Sequence, residues 1–428
     1  MRSNVDIAIV GYGLSGLIAA SFLAKQGYRV VLIQNGEDKQ TYVDGEYVFP
    51  SSKQILPRLS SLPHVQYIHR QLGLEAILER ALKSNGRAFQ LLSTDYRFDV
   101  WTNPEAFHQE IEREFPQEND RIRRIIERIF RIDAEINGFL AGLPYFPAEG
   151  WRQRKLFKQQ ERYAKRFARK LIDEQLWLDE GLTGLGGEFA KLLCYFTHLN
   201  ASEPSVLHGV RSLCNFMRGT MRFAEPFASL ETYFAEAAKN YGVDLVDARV
   251  NKMEIRFGRI QRIITNSAEI EARVVLLNTH KPLTQWITHK RTLKRLDKEF
   301  TTVSDKMKWS LNILIDSSAI PESLGDIAFC LPNKIADGED VHMLRVFPAL
   351  GNDKNMKSEE SSAKKVIMLS GWSVREEYTN MTAQARWQIL KDKIETFLPF
   401  SEQHIIQISS PQENNEDNDS WAHQLFVP

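Results

Sequence analysis

Residues 5–16 constrain the fold of this chain more than any other segment. The apolar run Val5-Asp6-Ile7-Ala8-Ile9-Val10 leads directly into Gly11-Tyr12-Gly13-Leu14-Ser15-Gly16. A strand that enters G-x-G-x-x-G and leaves as a helix is the context that turns three glycines into a dinucleotide-binding fingerprint. Gly11 permits the tight turn, Gly13 leaves room for a pyrophosphate against the backbone, and Gly16 lets helix and strand pack closely. The first helical turn, at Leu14 and Ser15, offers unpaired N–H groups and the positive end of the helix dipole to phosphate. The helix runs to about Gln26, Gly27 suits its C-terminal cap, and Arg29-Val30-Val31-Leu32-Ile33 completes a β-α-β unit.

In such a unit the second strand ends in Asp or Glu, which binds the adenosine ribose hydroxyls. Here Gln34 takes that place. An amide still hydrogen-bonds a hydroxyl, but without charge assistance. Glu37 and Asp38 follow closely, and Lys39 leaves a 2′-phosphate open.

The rest of the composition narrows the class. The 428 residues suffice for two or three domains with a large core. Lys+Arg and Asp+Glu both number 55, so no global field favours nucleic acid. Cys194, Cys214 and Cys330 are far apart and form no C-x-x-C pair, which fits a reducing compartment. Met1-Arg2-Ser3-Asn4 leads straight into the first strand without signal-peptide character. No apolar run approaches a membrane-spanning length. These features predict a cytoplasmic protein, free or peripheral to the inner face of a membrane.

Along the chain, Asp44-Gly45 marks a turn, and Tyr96, Phe98 and Val100 alternate as on a half-buried strand. Apolar residues at helical spacing predict helices over Phe107–Glu114 and Arg121–Ile136, broken near Pro116, with more helix over 151–182. A helix from Leu230 through Asn240 ends at Gly242, followed by a strand at Val243–Val246 and a β-pair from Lys252 to Thr265. Val274-Val275-Leu276-Leu277-Asn278 reads as a strand buried in a sheet. Met307–Ile315 alternates at period two, and Val366–Trp372 is a further strand, with the polar stretch Gly351–Lys365 between them. Residues 413–419 are acidic and read as disordered.

At this point the chain resembles the phytoene desaturase-like branch of the FAD-dependent amine oxidase superfamily, with its NAD(P)-binding Rossmann-like domain. The fingerprint and its continuation Gly16-Leu17-Ile18-Ala19-Ala20 carry the resemblance. So do Arg97-Phe98-Asp99, Phe115-Pro116, the segment Leu230 to Met253 including Val250, Val274–Asn278, and Trp309–Ile315. The resemblance implies a discontinuous dinucleotide-binding domain (1–100 and 220–290), a helical insertion (101–219) and a mixed-sheet substrate domain (291–428). It implies FAD, with Gly11, Gly13, Leu14, Ser15 and Gly16 at the pyrophosphate, Gln34 at the ribose and Val250 on the adenine side. It also implies hydride transfer on an apolar polyene, isoprenoid or related lipid held in an apolar tunnel.

The sequence departs from the family pattern at four places. Gln34 replaces the ribose acid, and Gln40–Gly45 replaces a Gly-Gly-Arg or Gly-Gly-Lys turn. Glu225-Pro226-Phe227-Ala228 stands where Gly-Gly precedes the helix, and the sequence reaches Pro428 before any Gly-Asp motif of the kind that holds the flavin ribityl and phosphates. Two alternatives therefore stay open: a non-catalytic relative that binds a lipid or partner, and an NAD(P)-dependent reductase.

Trp151 to Lys170 contains nine basic residues and one acidic residue, with Tyr163, Phe167 and Leu171 at helical spacing. This basic amphipathic pattern fits peripheral contact with an anionic membrane. It equally fits a solvated basic face whose aromatic residues pack inward. No nucleic-acid-binding fold accompanies it. The ten histidines show no metal spacing, and His280, just past the strand ending at Asn278, reads as a loop residue. The glycines between Gly181 and Gly187 lack a preceding strand and read as a loop. No residue pattern identifies a catalytic acid, base or nucleophile.

Overall fold

In the computed structural model the described residues are 2–34, 41–51, 56–59, 62–93, 96–141, 151–152, 154–156, 158–159, 162, 206–225, 228–256, 259–278, 286–287, 306–331, 342–352, 363–374, 388, 394–395, 398–399 and 401–410. In chain order they form β1 (Arg2–Val10), α1 (Leu14–Lys25), β2 (Val30–Ile33), β3 (Thr41–Asp44), β4 (Tyr47–Pro50), β5 (Leu56–Pro57), α2 (Pro63–Gln71), α3 (Glu75–Ala81), β6 (Leu82–Ser84), β7 (Arg87–Leu92), β8 (Arg97–Trp101), α4 (Pro104–Glu114) and α5 (Asn119–Ala141). They continue as α6 (Val206–Met217), β9 (Thr220–Phe223), α7 (Leu230–Asn240), β10 (Asp244–Val246), β11 (Val250–Arg256), β12 (Arg259–Thr265), β13 (Glu269–Leu277), β14 (Lys306–Asp316), β15 (Ile327–Cys330), β16 (His342–Pro348), β17 (Leu350–Gly351), β18 (Lys364–Val374) and β19 (Ile405–Ser409).

The first sheet has the order β10-β2-β1-β13-β12-β11. Its first four strands are parallel, and β13-β12-β11 is an antiparallel meander. Side chains alternate across the pleat, which explains why β1 and β2 are apolar on both faces. Ile7, Ile9, Val30 and Leu32 pack against α1 and α7 through Leu17, Ala20, Phe234 and Ala238. Ala8, Val10, Val31 and Ile33 point the other way, onto Val250, Met253, Ile263 and Ile270. The helices therefore cover one face and the meander folds back over the other.

The strand predicted from Val274 onward differs from expectation on one face. It exists as the end of β13, yet Val274 is 50% and Leu276 38% exposed. Their parallel partners are Ile7 and Ile9, on the helix-covered face. The cluster formed there by α1 and α7 reaches β1 and β2 but does not include Val274 or Leu276.

The second sheet has the order β19-β14-β18-β16-β15-β7-β8. It takes in β7 and β8, of which residues 87–100 are placed by the sequence division with the dinucleotide-binding part and Trp101 with the helical insertion. β7 joins it by parallel pairing of Gln90, Leu91 and Leu92 with Ala328, Phe329 and Cys330. On one face Trp309, Leu311, Ile313, Leu344 and Leu369 form a core. The opposite face is divided. Phe89, Leu91, Phe98, Val100 and Phe329 lie beneath α4, α5 and α6, while Leu314 and Val366 lie beneath the β3–β4 hairpin through Tyr47 and Phe49.

The period-two strands of this sheet are buried on their polar side as well. Asn312 is fully buried, and its amide donates to the Pro50 carbonyl at 2.8 Å and the Tyr42 hydroxyl at 3.0 Å. Asp99, between Phe98 and Val100, is 7% exposed. It accepts from Arg87 Nη1 at 2.9 Å and Gln90 Nε2 at 2.6 Å. Its own N–H donates to Glu110 of α4 at 2.9 Å. Most buried polar groups are partnered in this way, and here Asn312 and Asp99 are joints between layers rather than solvent-facing positions.

Helix boundaries follow local chemistry. Asn103 caps α4, its Oδ1 accepting from the N–H groups of Glu105 at 2.9 Å and Ala106 at 3.0 Å, with Pro104 at the first helical position. Replacing Asn103 by Ala removes the acceptor and is expected to cost about 1 kcal/mol, whereas Gly costs only a few tenths. Urea unfolding of the two variants checks both size and order.

Candidate functional site

The glycine turn lies where the carboxyl ends of β1, β2 and β13 meet. β1 has β2 on one side and β13 on the other, so the connections diverge here, which is where ligands bind in open α/β sheets. Gly11 adopts φ +110°, a left-handed region that disfavours any side chain. Its N–H donates to the Ile33 carbonyl at 2.9 Å, fastening the turn to β2. α1 then starts at Leu14, and Leu17 N–H donates to the Gly13 carbonyl at 3.1 Å.

Gly16 is the tightest point. A Cβ there would stand 2.5 Å from the Gly11 carbonyl oxygen and 2.8 Å from Asn278 Nδ2. Both distances are shorter than real Cβ contacts, and the nearer atom is backbone. Asn278 closes the site from below. Its N–H donates to the Val10 carbonyl at 2.8 Å and its Nδ2 to the Gly11 carbonyl at 3.4 Å. The sequence marks Asn278 only as the residue ending an apolar strand. Its role as a brace for the glycine turn depends on that strand pairing beside β1.

The mouth of the turn is suited to an anion. The N-cap of α1 is Gly13, no side chain caps the helix, and its first turn has no acidic residue. The leading N–H groups of a helix have no intrahelical partner and favour phosphate. Ser15 is exposed at this end and Leu14 is half-buried against the helix-side core. Nearby, burial and then the Glu231 carboxylate push the Tyr12 phenol above its ordinary range, so it stays protonated. The open backbone above Gly13 and the uncapped helix fit a dinucleotide pyrophosphate.

Gln34 sits at the tip of β2, half-buried, with its N–H donating to the Val246 carbonyl at 2.9 Å. It directly follows the second strand of the β-α-β unit. Val250 is 3% exposed and belongs to the cluster containing Val10 and Ile33. The structure thus brings Gly11, Gly13, Leu14, Ser15, Gly16 and Gln34 to one edge, while Val250 supports that edge from within the core. Glu37, Asp38 and Lys39 lie outside the described residues.

A cavity of about 260 Å³ lies between the small sheet β5-β9-β6 and the β15–β16 end of the large sheet. Leu56, Met221, Phe223, Ile327, Val346 and Phe347 are among its apolar residues, and Lys83, Arg222, Glu225, Asp326 and Arg345 are its charged ones. Arg222 pairs with Asp326 at 3.1 Å. Desolvation lowers Arg345 to about 10, opposed by Asp326. The cavity connects to the dinucleotide half through β9 and Ser229, which caps α7 by accepting from Thr232 N–H at 3.4 Å.

Other sequence candidates fall elsewhere. Among the described residues of 151–162 all are helical and exposed, with Trp151 at 73% and Leu156 at 51%. Residues 163–170, His280, Cys194 and Gly181–Gly187 lie outside the described residues, as do 413–419. Cys214 and Cys330 are buried. Among the described residues no cluster of His, Cys, Asp or Glu has metal-binding geometry, and no helix is long and apolar enough to cross a membrane.

Comparison with known proteins agrees with this geometry. The family model described as an NAD(P)-binding Rossmann-like domain matches residues 9–72. The solved structure of wild-type putrescine oxidase bound to putrescine is 15% identical, with coverage of 100% of this chain and 88% of that chain and a TM-score of 0.57. An oxidoreductase from Methanosarcina mazei is 13% identical over 96% of this chain and 87% of its own, TM-score 0.56. Cyclohexylamine oxidase from Brevibacterium oxydans is 12% identical over 98% and 86%, TM-score 0.51. The comparison with curated proteins finds no match. The chain therefore has a Rossmann-like dinucleotide-binding domain within a fold shared with these oxidoreductases.

Gly16→Ala is expected to force α1 away from the turn. Overpacking of this kind costs about 1–3 kcal/mol, and the displaced helix end should lose dinucleotide affinity. Thermal denaturation and equilibrium dialysis of the variant measure the two effects; a variant with unchanged melting and binding would contradict the packing described.

Proposed function

We propose that this protein is an FAD-dependent oxidoreductase that moves a hydride between the flavin and an organic substrate. The observation that carries the reading is the uncapped, acid-free first turn of α1 above a glycine turn in which Gly11, by its φ, and Gly16, by its packing, cannot carry side chains. The whole-length fold likeness to proteins named as oxidases and an oxidoreductase supports FAD within that site. A bound flavin would supply the hydride-accepting chemistry. The chain's own residues bind and orient: Gly11, Gly13, Leu14, Ser15 and Gly16 hold the pyrophosphate, Gln34 reaches the ribose hydroxyls, and Val250 backs the adenine side.

The substrate reading is less apolar than the resemblance implies. An apolar polyene or isoprenoid lipid needs an apolar tunnel. The described cavity between the sheets has Lys83, Arg222, Asp326 and Arg345 in its wall, and burial of such groups against hydrocarbon is costly. A substrate with polar groups fits that wall better.

NAD(P) in the same turn is the second reading. Gln34 favours it because a neutral amide lacks the carboxylate that would repel a ribose 2′-phosphate. A chain that binds neither cofactor would leave the non-catalytic module.

Ser15→Glu separates binding from folding. A carboxylate in the first turn favours the helix, by about 0.3–1 kcal/mol, yet repels a pyrophosphate at the same place. The expected outcome is an unchanged or higher melting temperature with FAD affinity lowered about tenfold or more, read from quenching of flavin fluorescence. Parallel titrations with NADH and NADPH distinguish the nicotinamide reading. Undiminished FAD binding by the variant would remove the pyrophosphate from this turn.

A further inference from the structure

A second cavity, of about 570 Å³, opens between the end of β8, α4, α5 and the C-terminal end of α6. Its volume lies within the roughly 300–1,000 Å³ typical of small-molecule sites. None of its described lining residues belongs to the glycine turn or to the cavity between the sheets. Trp101, Phe107, Ile126, Phe130 and Met217 give it an apolar body. The polar part is one-sided: Arg58, His108 and Arg218 line it, and among the described lining residues there is no carboxylate.

Arg218 is a fixed group rather than a swinging surface arginine. Its Nη2 pairs with Asp133 at 2.5 Å, its Nη1 donates to Asn215 Oδ1 at 3.3 Å, and its guanidinium lies 5.3 Å from the Phe130 ring centre. Asp133 is fully buried on α5 and also accepts from Asn137 Nδ2 at 2.9 Å. Behind this pair stands a second arginine, Arg211, on the same helix as Asn215. Burial lowers its pKa, Asp133 opposes that, and Arg218 adds to it. Asp133 thus pairs with Arg218 and acts on Arg211 through its field.

The cluster is also incompletely satisfied. Asp133 Oδ1, Arg211 Nε and His64 Nε2 are buried without hydrogen-bond partners. The His64 imidazole is held below its ordinary range by burial and then by the positive charge of Arg211. Buried charge is costly unless it is paired, and a cavity wall that carries guanidinium and imidazole groups and, among its described residues, no carboxylate is suited to an anion. Arginine is also the side chain best matched to a carboxylate, through paired N–H donors.

We propose that this cavity binds a small amphipathic organic anion, a carboxylate carried on an aromatic or alicyclic body. The carboxylate meets Arg58 and Arg218 at the rim, and the ring packs among Trp101, Phe107 and Phe130. This site is independent of the dinucleotide reading and stands whether or not a flavin is bound.

Calorimetric titration of the full chain with 4-phenylbutyrate and with 4-phenylbutylamine tests it, because the two probes share a body and differ in charge. The carboxylate is expected to bind and the amine not. Arg58→Glu should weaken 4-phenylbutyrate about tenfold, one charge contact's worth, and His108→Glu should weaken it in the same direction. Arg222→Glu, in the other cavity, should leave it unchanged. Arg218 itself is the poorer target, since its loss strands the Asp133 charge and threatens the fold. Equal binding of the amine, no binding of the carboxylate, or full affinity in both Arg58→Glu and His108→Glu would overturn the proposal. Displacement of the probe by inorganic phosphate alone would reduce the site to a bare anion contact and overturn it equally.

Discussion

The close approach of α1 to the end of β1 is the constraint on which the rest of the dinucleotide half depends. Gly16 faces the Gly11 carbonyl with no room for a methyl group, and Asn278 ties the same carbonyl to the end of β13. Because the helix starts there, its leading N–H groups lie at the sheet's carboxyl edge with no side-chain cap among the described residues. The same placement lets Leu17, Ala20 and Ala24 lie on Ile7, Ile9, Val30 and Leu32. Packing and anion affinity are therefore consequences of one geometric fact. Removing the fit would disturb both.

The second sheet follows a different rule. Its cores are apolar, but charged and amide side chains join its layers. Asp99 links β7, β8 and, through its backbone, α4. Asn312 links β14 to the β3–β4 hairpin. Asp133 gathers Arg218 and Asn137 in the helical layer. Such joints gain little net stability relative to apolar packing, and they become expensive when one partner is lost. The cavities lie beside these charged regions, which is why their walls carry fixed arginines rather than hydrocarbon alone.

Much of the first sheet was legible in the sequence. The fingerprint, the Gly27 cap, the apolar β2 and the turn at Gly242 each have a local cause, and local causes survive into the fold. The β11–β12 pair and the helices around Pro116 were legible for the same reason. What was not legible depends on long-range pairing. Nothing local shows that β7 and β8 join strands more than two hundred residues later, since Leu91 meets Phe329 only through that pairing. Alternation at Tyr96, Phe98 and Val100 suggested a solvent-facing side, yet Asp99 is buried because α4 and Arg87 reach it. Val274 and Leu276 misled in the opposite sense: an apolar run does not state which residues will cover it. Within the candidate site the glycines and Gln34 were readable from spacing, whereas the brace at Asn278 required the register of β13 against β1.

The most direct test of the central claim is the visible absorbance spectrum of the purified full chain after incubation with FAD and desalting. Retained flavin bands, released only on unfolding, are the predicted result. A folded protein that emerges colourless would show that the glycine turn holds no flavin.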